Sequence, residues 1–246
     1  KPVNAQGEYY LTDVISYLVK QNQMVATWPL ADPFEAMGVN QRVQLAEAEL
    51  RLRRRILRQH MLNGVTIIDP QSTYIGSQVK IGQDVTLEPG VILEGNTVIE
   101  EDCVIGPWSR IKDCWIGQGT VVAQSVLNGC EIGPDCNIGP YSYMRPGCVL
   151  VQDVKVGGFV EMKKTRADMG AKIPHLSYIG DSQIGKKVNI GAGTITCNYD
   201  GKNKFPTVFG DESFVGSNTN LVAPVNIGEG AYIGAGSTIT KDVPSG

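Results

Sequence analysis

The side chains with the most chemical use crowd into residues 145–204: Arg145, Glu161, Lys163, His175, Tyr178, Asn198, Tyr199 and Lys204. Arg145 in YSYMRPG and Lys163 in FVEMKK suit an anionic group such as a phosphate. Arginine presents a fork of donors, and lysine a compact point charge. His175, in AKIPHLSYIGDSQIG, is one of only two histidines and is the natural general base near neutral pH. Glu161 could orient it. On residue types alone these groups suggest an anionic small molecule. A lone histidine in a loop can equally be a surface or hydrogen-bonded structural residue. His60, in a highly charged stretch, reads as a surface residue.

What positions these groups is a repeat. Ile75, Ile81, Leu87, Leu93, Ile99, Ile105 and Ile111 lie six residues apart, and so do Phe209, Val215, Leu221, Ile227, Ile233 and Ile239. Between the two runs the period persists with slips, on Ile138, Met144, Leu150, Val156, Met162, Ile184 and Ile190. Small or β-branched residues follow four places after each aliphatic: Val79, Val85, Val91, Thr97, Cys103 and Ser109. This period is neither the 3.6 of a helix nor the 2 of a lone strand, and it matches a hexapeptide β-helix. Coils of three short strands stack and share one core, because no coil buries its own face. Two segments, 163–178 and 196–207, read as insertions at the corners, where a solenoid places its working groups.

Cys103, Cys136 and Cys148 fall in the small-residue slot and read as packed small hydrophobes. None of the six cysteines forms a C-x-x-C pair, which weakens a zinc or thioredoxin-type reading. The first 63 residues differ. LTDVISYLVKQ predicts a helix capped near Thr12, with Val14, Ile15, Leu18 and Val19 on one face. MVATW predicts a strand. Residues 39–62 predict a long charged helix, whose Arg51, Arg53, Arg54 and Arg55 read as a solvated face.

A net charge of −3 and a pI near 5.5 argue against nucleic acid as a partner. No apolar run has the length of a membrane span, so no integral membrane association is expected. With no export signal at the start, the default is a reducing cytoplasm. The chain opens KPVNAQGEYY without methionine and stops at KDVPSG, which suggests a piece of something longer.

RPG, GGFVEMKKTR, HLSYIGDSQIGKKVNIGAGTITCNYDGKNKF and FVGSNTNLVAPVNIGEGAYIGAGSTIT resemble the bacterial GlmU family. NAQGEYYLTD and GVNQRVQL resemble the end of that family's uridyltransferase domain. The resemblance is specific over 145–240 and looser over 64–140, where only the repeat is shared. It implies a mainly β fold: a left-handed parallel β-helix, preceded by the α/β C-terminal remnant of a nucleotidyltransferase domain and a long linker helix. The implied divisions are 1–41, 42–63 and 64–246. It implies acetyl transfer from acetyl-CoA to the 2-amino group of glucosamine 1-phosphate, by a cytoplasmic homotrimer with each site where subunits meet. By matching motifs, His175 is the implied base, and Arg145 and Lys163 lie at the sugar phosphate. Tyr178 and Asn189 contact the sugar. Ala192, Asn198, Tyr199, Ser217 and Ala235 line the acetyl-CoA site, and Lys204 lies near the same cleft. The family's second activity, uridyl transfer, uses magnesium. Here only Asn40 matches a residue at that metal, and the Gly-rich nucleotide loop is absent, so that site is expected to be empty and uridyl transfer is not expected.

Other readings stay open at this point. A different hexapeptide acyltransferase would lack the paired Arg and Lys. A carbonic-anhydrase-like zinc enzyme needs about three histidines. A structural or ice-binding β-helix would show a flat Thr-rich face and no charged insertions.

Overall fold

The computed structural model describes residues 7–246, so the first six residues, with the start of the NAQGEYYLTD segment, lie outside the described part. Two compact units divide at Ala48 and Glu49.

In the first unit, α1 (Asp13–Lys20) begins where the sequence places it, after Thr12. Thr12 has helical angles and makes no side-chain cap. Its apolar face, Val14, Ile15 and Val19, is exposed. MVATW forms no strand. A strand needs a hydrogen-bonded neighbour, and no other strand lies among the described residues of this unit. A short 3-10 helix, Pro33–Ala36, is capped by Asp32, whose side chain accepts from the Phe34 amide. The helix α2 (Arg42–Leu62) starts in this unit and continues into the next.

The second unit is the β-helix. Twenty-nine short strands line up as three parallel sheets of 10, 10 and 9 strands, each sheet one face of a left-handed prism. Every strand pairs with the strand three places on, one coil later. Along the first face Thr86 lies beside Val104, Val104 beside Val121 and Val121 beside Asn137. The aliphatic residue of each hexad points inward: Leu87, Ile105, Ile111, Ile138, Met144 and Val156 have no exposed surface. Burying each such side chain is worth about 1.5–3 kcal/mol relative to leaving it in water. The slot four places on is buried too, with Val85, Val91, Thr97, Cys103 and Ser109 among its occupants. Leu57 and Ile56 of α2 join this core, so the helix covers apolar side chains at the N-terminal end of the stack. Arg53 of the same helix lies 4.3 Å over the Tyr74 ring and bonds the Gln71 carbonyl.

One expected insertion is not there. Residues 163–178 continue the coils without a break. Glu161 lies beside Tyr178 and Lys155 beside Lys172, each 17 residues on, where Tyr143 to Glu161 takes 18. The hexad register is hidden by one shortened corner, with five residues from Met162 to Ala167, and by the smallness of Ala167. Ala167, Ile173 and Ile179 are all fully buried. His175 therefore stands on a coil, at the end of the strand Lys172–His175. The second expected insertion is present. Ser182 pairs with Thr207, 25 residues on, so one coil carries about eight residues more than its neighbours. The excess forms a small closed loop. Tyr199 bridges Lys204, Phe205 N bonds Asn198 O at 2.9 Å, and Asp200 Oδ1 accepts the Lys202 and Asn203 amides at 2.7 and 2.6 Å.

Stacked coils leave little room between corner backbones. A Cβ on Gly133 would overlap the Val151 carbonyl of the next coil, whereas one on Gly38 would meet only the Asn40 amide at 3.8 Å. Overpacking a rigid backbone contact costs about 1–3 kcal/mol or more. Gly133→Ala should lower the thermal midpoint by several degrees, and Gly38→Ala should leave it unchanged. Equal midpoints for both variants by calorimetry would contradict this coil-to-coil register.

Candidate active site

Two groups of side chains come together on the β-helix, on neighbouring parts of its surface. The first is a charged cluster on the second face. Glu161 and Tyr178 sit side by side on adjacent coils, with Tyr143 one coil before. Arg145 follows Met144 out of its strand, and its Nη1 lies 3.0 Å from Glu161 Oε1. Lys163, the one charged residue that is buried among the described residues, places Nζ 3.4 Å from Asp181 Oδ2. Asn198 Nδ2 donates to the same oxygen. Lys204 brings its amine against that of Lys163. The contact holds the Lys163 pKa above the ordinary lysine range, and Asp181 adds to this; the same contact, then the charge of Lys163, holds Lys204 below that range. Tyr178 turns its hydroxyl back over Gly180. A Cβ there would lie 2.6 Å from that hydroxyl and from Asn198 Nδ2 alike. Arg145, Lys163 and Lys204 thus bring three basic groups to one patch, against two carboxylates.

The second group is a column along one corner. The amides of Leu176, Gly193, Asn218 and Gly236 bond the carbonyls of Gly158, His175, Ala192 and Ser217, at 2.9, 3.3, 2.7 and 2.8 Å. This ladder stacks Gly158, His175, Ala192, Ser217 and Ala235 on successive coils. His175 is exposed, and its imidazole makes no hydrogen bond among the described residues. Its carbonyl accepts from Ser177 Oγ at 2.7 Å. On the coils that follow, the column carries only Ala, Ser and Ala. Asn189 lies on the adjoining first face, between Lys172 and Phe214. Tyr199 stands exposed on the added loop, its hydroxyl bonded to Gly201 O.

The next position of this corner holds a left-handed backbone, which favours Gly and Asn. Gly193, Asn218 and Gly236 obey that rule, but Trp108, Tyr141, Phe159 and Leu176 also hold positive φ. All four are exposed, and the Tyr141 and Phe159 rings stack at 5.2 Å. An exposed ridge, apolar except for Gln124 between Trp108 and Tyr141, therefore runs up the corner to the neighbour of His175.

Some expected groupings do not form. The carboxylate of Glu161 is taken by Arg145, not by His175. Asn40 belongs to the other unit, is exposed, and its amide bonds Gln44 Oε1 at 2.8 Å. No group of three His, Cys, Asp or Glu side chains suited to a metal exists among the described residues. The residues present around Asn40 thus do not fit a magnesium site. His60 is half-buried, which lowers its pKa. Sequence reasoning missed Asp181 and Gly180. Aspartate recurs at left-handed corners throughout the chain, at Asp84, Asp102, Asp113, Asp135 and Asp153, so Asp181 looked like another turn residue.

The model of the GMPPB C-terminal domain matches residues 75–167, and that of the bacterial transferase hexapeptide (six repeats) matches residues 206–241. The chain is 57% identical over 244 residues to a protein of Desulfitobacterium hafniense named bifunctional protein GlmU, covering 99% of the chain and 54% of that protein. It is 55% identical over 241 residues to one of the same name from Geobacillus sp., covering 98% and 52%. The chain spans about half the length of these relatives. A solved Arabidopsis UDP-N-acetylglucosamine acyltransferase superposes with a TM-score of 0.41 at 18% identity, over 74% of this chain and 68% of that one.

The cysteines stand outside this chemistry. Burial pushes the Cys103 and Cys136 thiols up to about 11. Contacts with the Cys114 and Cys148 thiols, together with burial, push Cys130 up as well. Cys197 alone of the six is not buried. At about pH 8 a thiol-exchange reagent should label Cys197 quickly and the other five only on unfolding. Rapid labelling of three or more thiols in the native protein would contradict this packing.

Proposed function

The chain belongs to the GlmU family over nearly its whole length, and from that premise we propose that it transfers an acetyl group from acetyl-CoA to the 2-amino group of glucosamine 1-phosphate. The observation that carries this reading is the corner column. An exposed imidazole heads a column of small side chains, beside a patch with three basic groups. A thin flexible thioester arm would fit along the small side chains of Ala192, Ser217 and Ala235. A sugar phosphate fits Arg145, Lys163 and Lys204.

The chemistry follows from the groups present. The attacking nitrogen must be a free amine, and His175 takes its proton. The C–N bond forms as the thioester carbonyl becomes an oxyanion, stabilised by Ser217 Oγ or by backbone N–H groups of the column. Collapse breaks the C–S bond, and the proton taken by His175 passes to the departing thiolate. No acyl-enzyme is needed, so Cys197 has no nucleophilic role. Glu161 holds Arg145 in place, and Tyr178 and Asn189 contact the sugar. Asn198 and Tyr199 stand on the added loop, which leaves the second face at the corner opposite the column, and from there they reach the acyl donor seated on a neighbouring copy. No step is routed through magnesium.

The same reading makes the chain a homotrimer in the cytoplasm. No helix among the described residues is long and apolar enough to cross a membrane. The exposed ridge of Trp108, Tyr141, Phe159 and Leu176 needs a cover, and an unpartnered imidazole beside it needs an orienting neighbour; a second copy supplies both.

Five outcomes test this. Release of coenzyme A thiol should depend on glucosamine 1-phosphate, and His175→Ala should cut turnover by roughly 10²- to 10⁴-fold, the usual scale for losing a general base. That defect should shrink as pH rises toward about 9, where more of the amine is already deprotonated; a defect of constant size would leave His175 a structural residue. Arg145→Ala should instead raise KM for the sugar phosphate. Light scattering should give about 80 kDa, three times the chain mass of 26.6 kDa, and a monomer mass at micromolar concentration would count against the trimer.

A further inference from the structure

Resting on the acetyl-transfer reading, we propose that Asp181 is a positioning residue that joins the phosphate-gripping lysine to the acyl-donor loop. One carboxylate oxygen takes both partners: Oδ2 lies 3.4 Å from Lys163 Nζ and accepts from Asn198 Nδ2. The backbone of the same residue ties both sides as well. Asp181 N bonds Lys163 O at 2.8 Å, and its carbonyl accepts from the Thr207 amide at 3.4 Å. Asn198 opens the added loop and Thr207 closes it, so both ends of that loop rest on Asp181.

The position is built for this. Asp181 stands in the left-handed region, φ 50°, which turns its side chain back along the face toward Lys163. Its predecessor Gly180 has no side chain, and only that lets the Tyr178 hydroxyl and the Asn198 amide converge above it. The pair is mostly out of solvent, with side-chain exposures of 11% for Lys163 and 19% for Asp181. Screening there is weak, and breaking one partner of such a pair costs more than at a surface.

The charge balance gives the residue a second consequence. Arg145 and Glu161 neutralise each other. Lys163 and Lys204 face Asp181, with Lys164 also near and Tyr178 alongside, so the patch keeps a positive excess. The Lys204 contact, with Asp181 adding to it, holds the Lys163 pKa above the ordinary lysine range, and the same contact holds Lys204 below it. A phosphate monoester carries about −1.5 to −2 at neutral pH. Its arrival would attract the Lys204 ammonium and draw the loop inward, so filling the sugar-phosphate site would order the acyl-donor loop.

The test is Asp181→Asn in the whole chain, which keeps an acceptor for Asn198 but removes the charge. Lysine Cε chemical shifts followed against pH should show Lys163 titrating at lower pH than in the wild type. Amide exchange over residues 198–206 should quicken by about tenfold. KM should rise about tenfold for both glucosamine 1-phosphate and acetyl-CoA, with the pH profile of kcat unmoved. Wild-type titration of Lys163 together with wild-type loop exchange in the variant would overturn the proposal. If Asp181→Asn does not fold, Asn198→Ala serves: loop exchange should quicken while Lys163 titrates as before, and unchanged exchange would overturn it. A wild-type chain that transfers no acetyl group would refute the acetyl-transfer function, and the two spectroscopic readouts would still decide the role of Asp181.

Discussion

Parallel, in-register stacking of the coils is the constraint on which the rest of the molecule depends. Each strand bonds the strand one coil away, as Tyr143 pairs with Glu161 and Glu161 with Tyr178. The inward residue is therefore fixed as aliphatic or small, and polar groups that enter the prism are mostly hydrogen-bonded, with Thr207 Oγ1 and Ser213 Oγ the exceptions among the described residues. Thr120, Thr165 and Ser142 donate to backbone carbonyls. Side chains with chemical work are left the outer faces and the corners. Stacking then aligns them: residues one coil apart in space lie 16 to 18 apart in sequence over most of the chain.

That alignment turns a line of sequence into columns, and the columns have different chemistry. The corner of His175, Ala192, Ser217 and Ala235 is narrow and nearly bare. The second face beside it concentrates charge in two ion pairs of unlike kind. Arg145 and Glu161 are both well exposed, at 39% and 40% of their side chains, and salt screens such a pair. Lys163 and Asp181 are largely shielded, so their attraction is less screened and separating them costs more. The exposed pair can open to admit an anion, while the shielded pair holds its geometry. The eight-residue excess between Ser182 and Thr207 adds the only long outward loop on this part of the solenoid, and it lands on the shielded pair.

Much of this was legible in the sequence. The six-residue spacing of Ile75 to Ile111 and of Phe209 to Ile239 announces the coils, and all of those positions are buried except Ile81 and Ile239 near the ends, which are half-buried. The loop after Thr196 was legible because it breaks the spacing by more than a corner can absorb. What misled was the stretch around His175. One five-residue corner and an inward Ala167 hide a coil that is intact, because periodicity counts residues and cannot see that a corner has tightened. MVATW misled in the opposite direction, since β-propensity says nothing of whether a partner strand is present. Asp181 was invisible because the left-handed corner conformation selects aspartate for reasons of backbone alone. Only side-chain coordinates separate it from Asp135 or Asp153. The pairing of Glu161 with Arg145 in place of His175 is likewise a matter of which face each strand presents.

The central claim is that the bare corner column is the seat of the acyl donor, with the imidazole at its head. A crystal structure of the chain with coenzyme A tests it most directly. The account predicts the pantetheine arm along Ala192, Ser217 and Ala235, with the thiol close to His175. Coenzyme A bound with its thiol on another face of the prism, away from that corner, would contradict it.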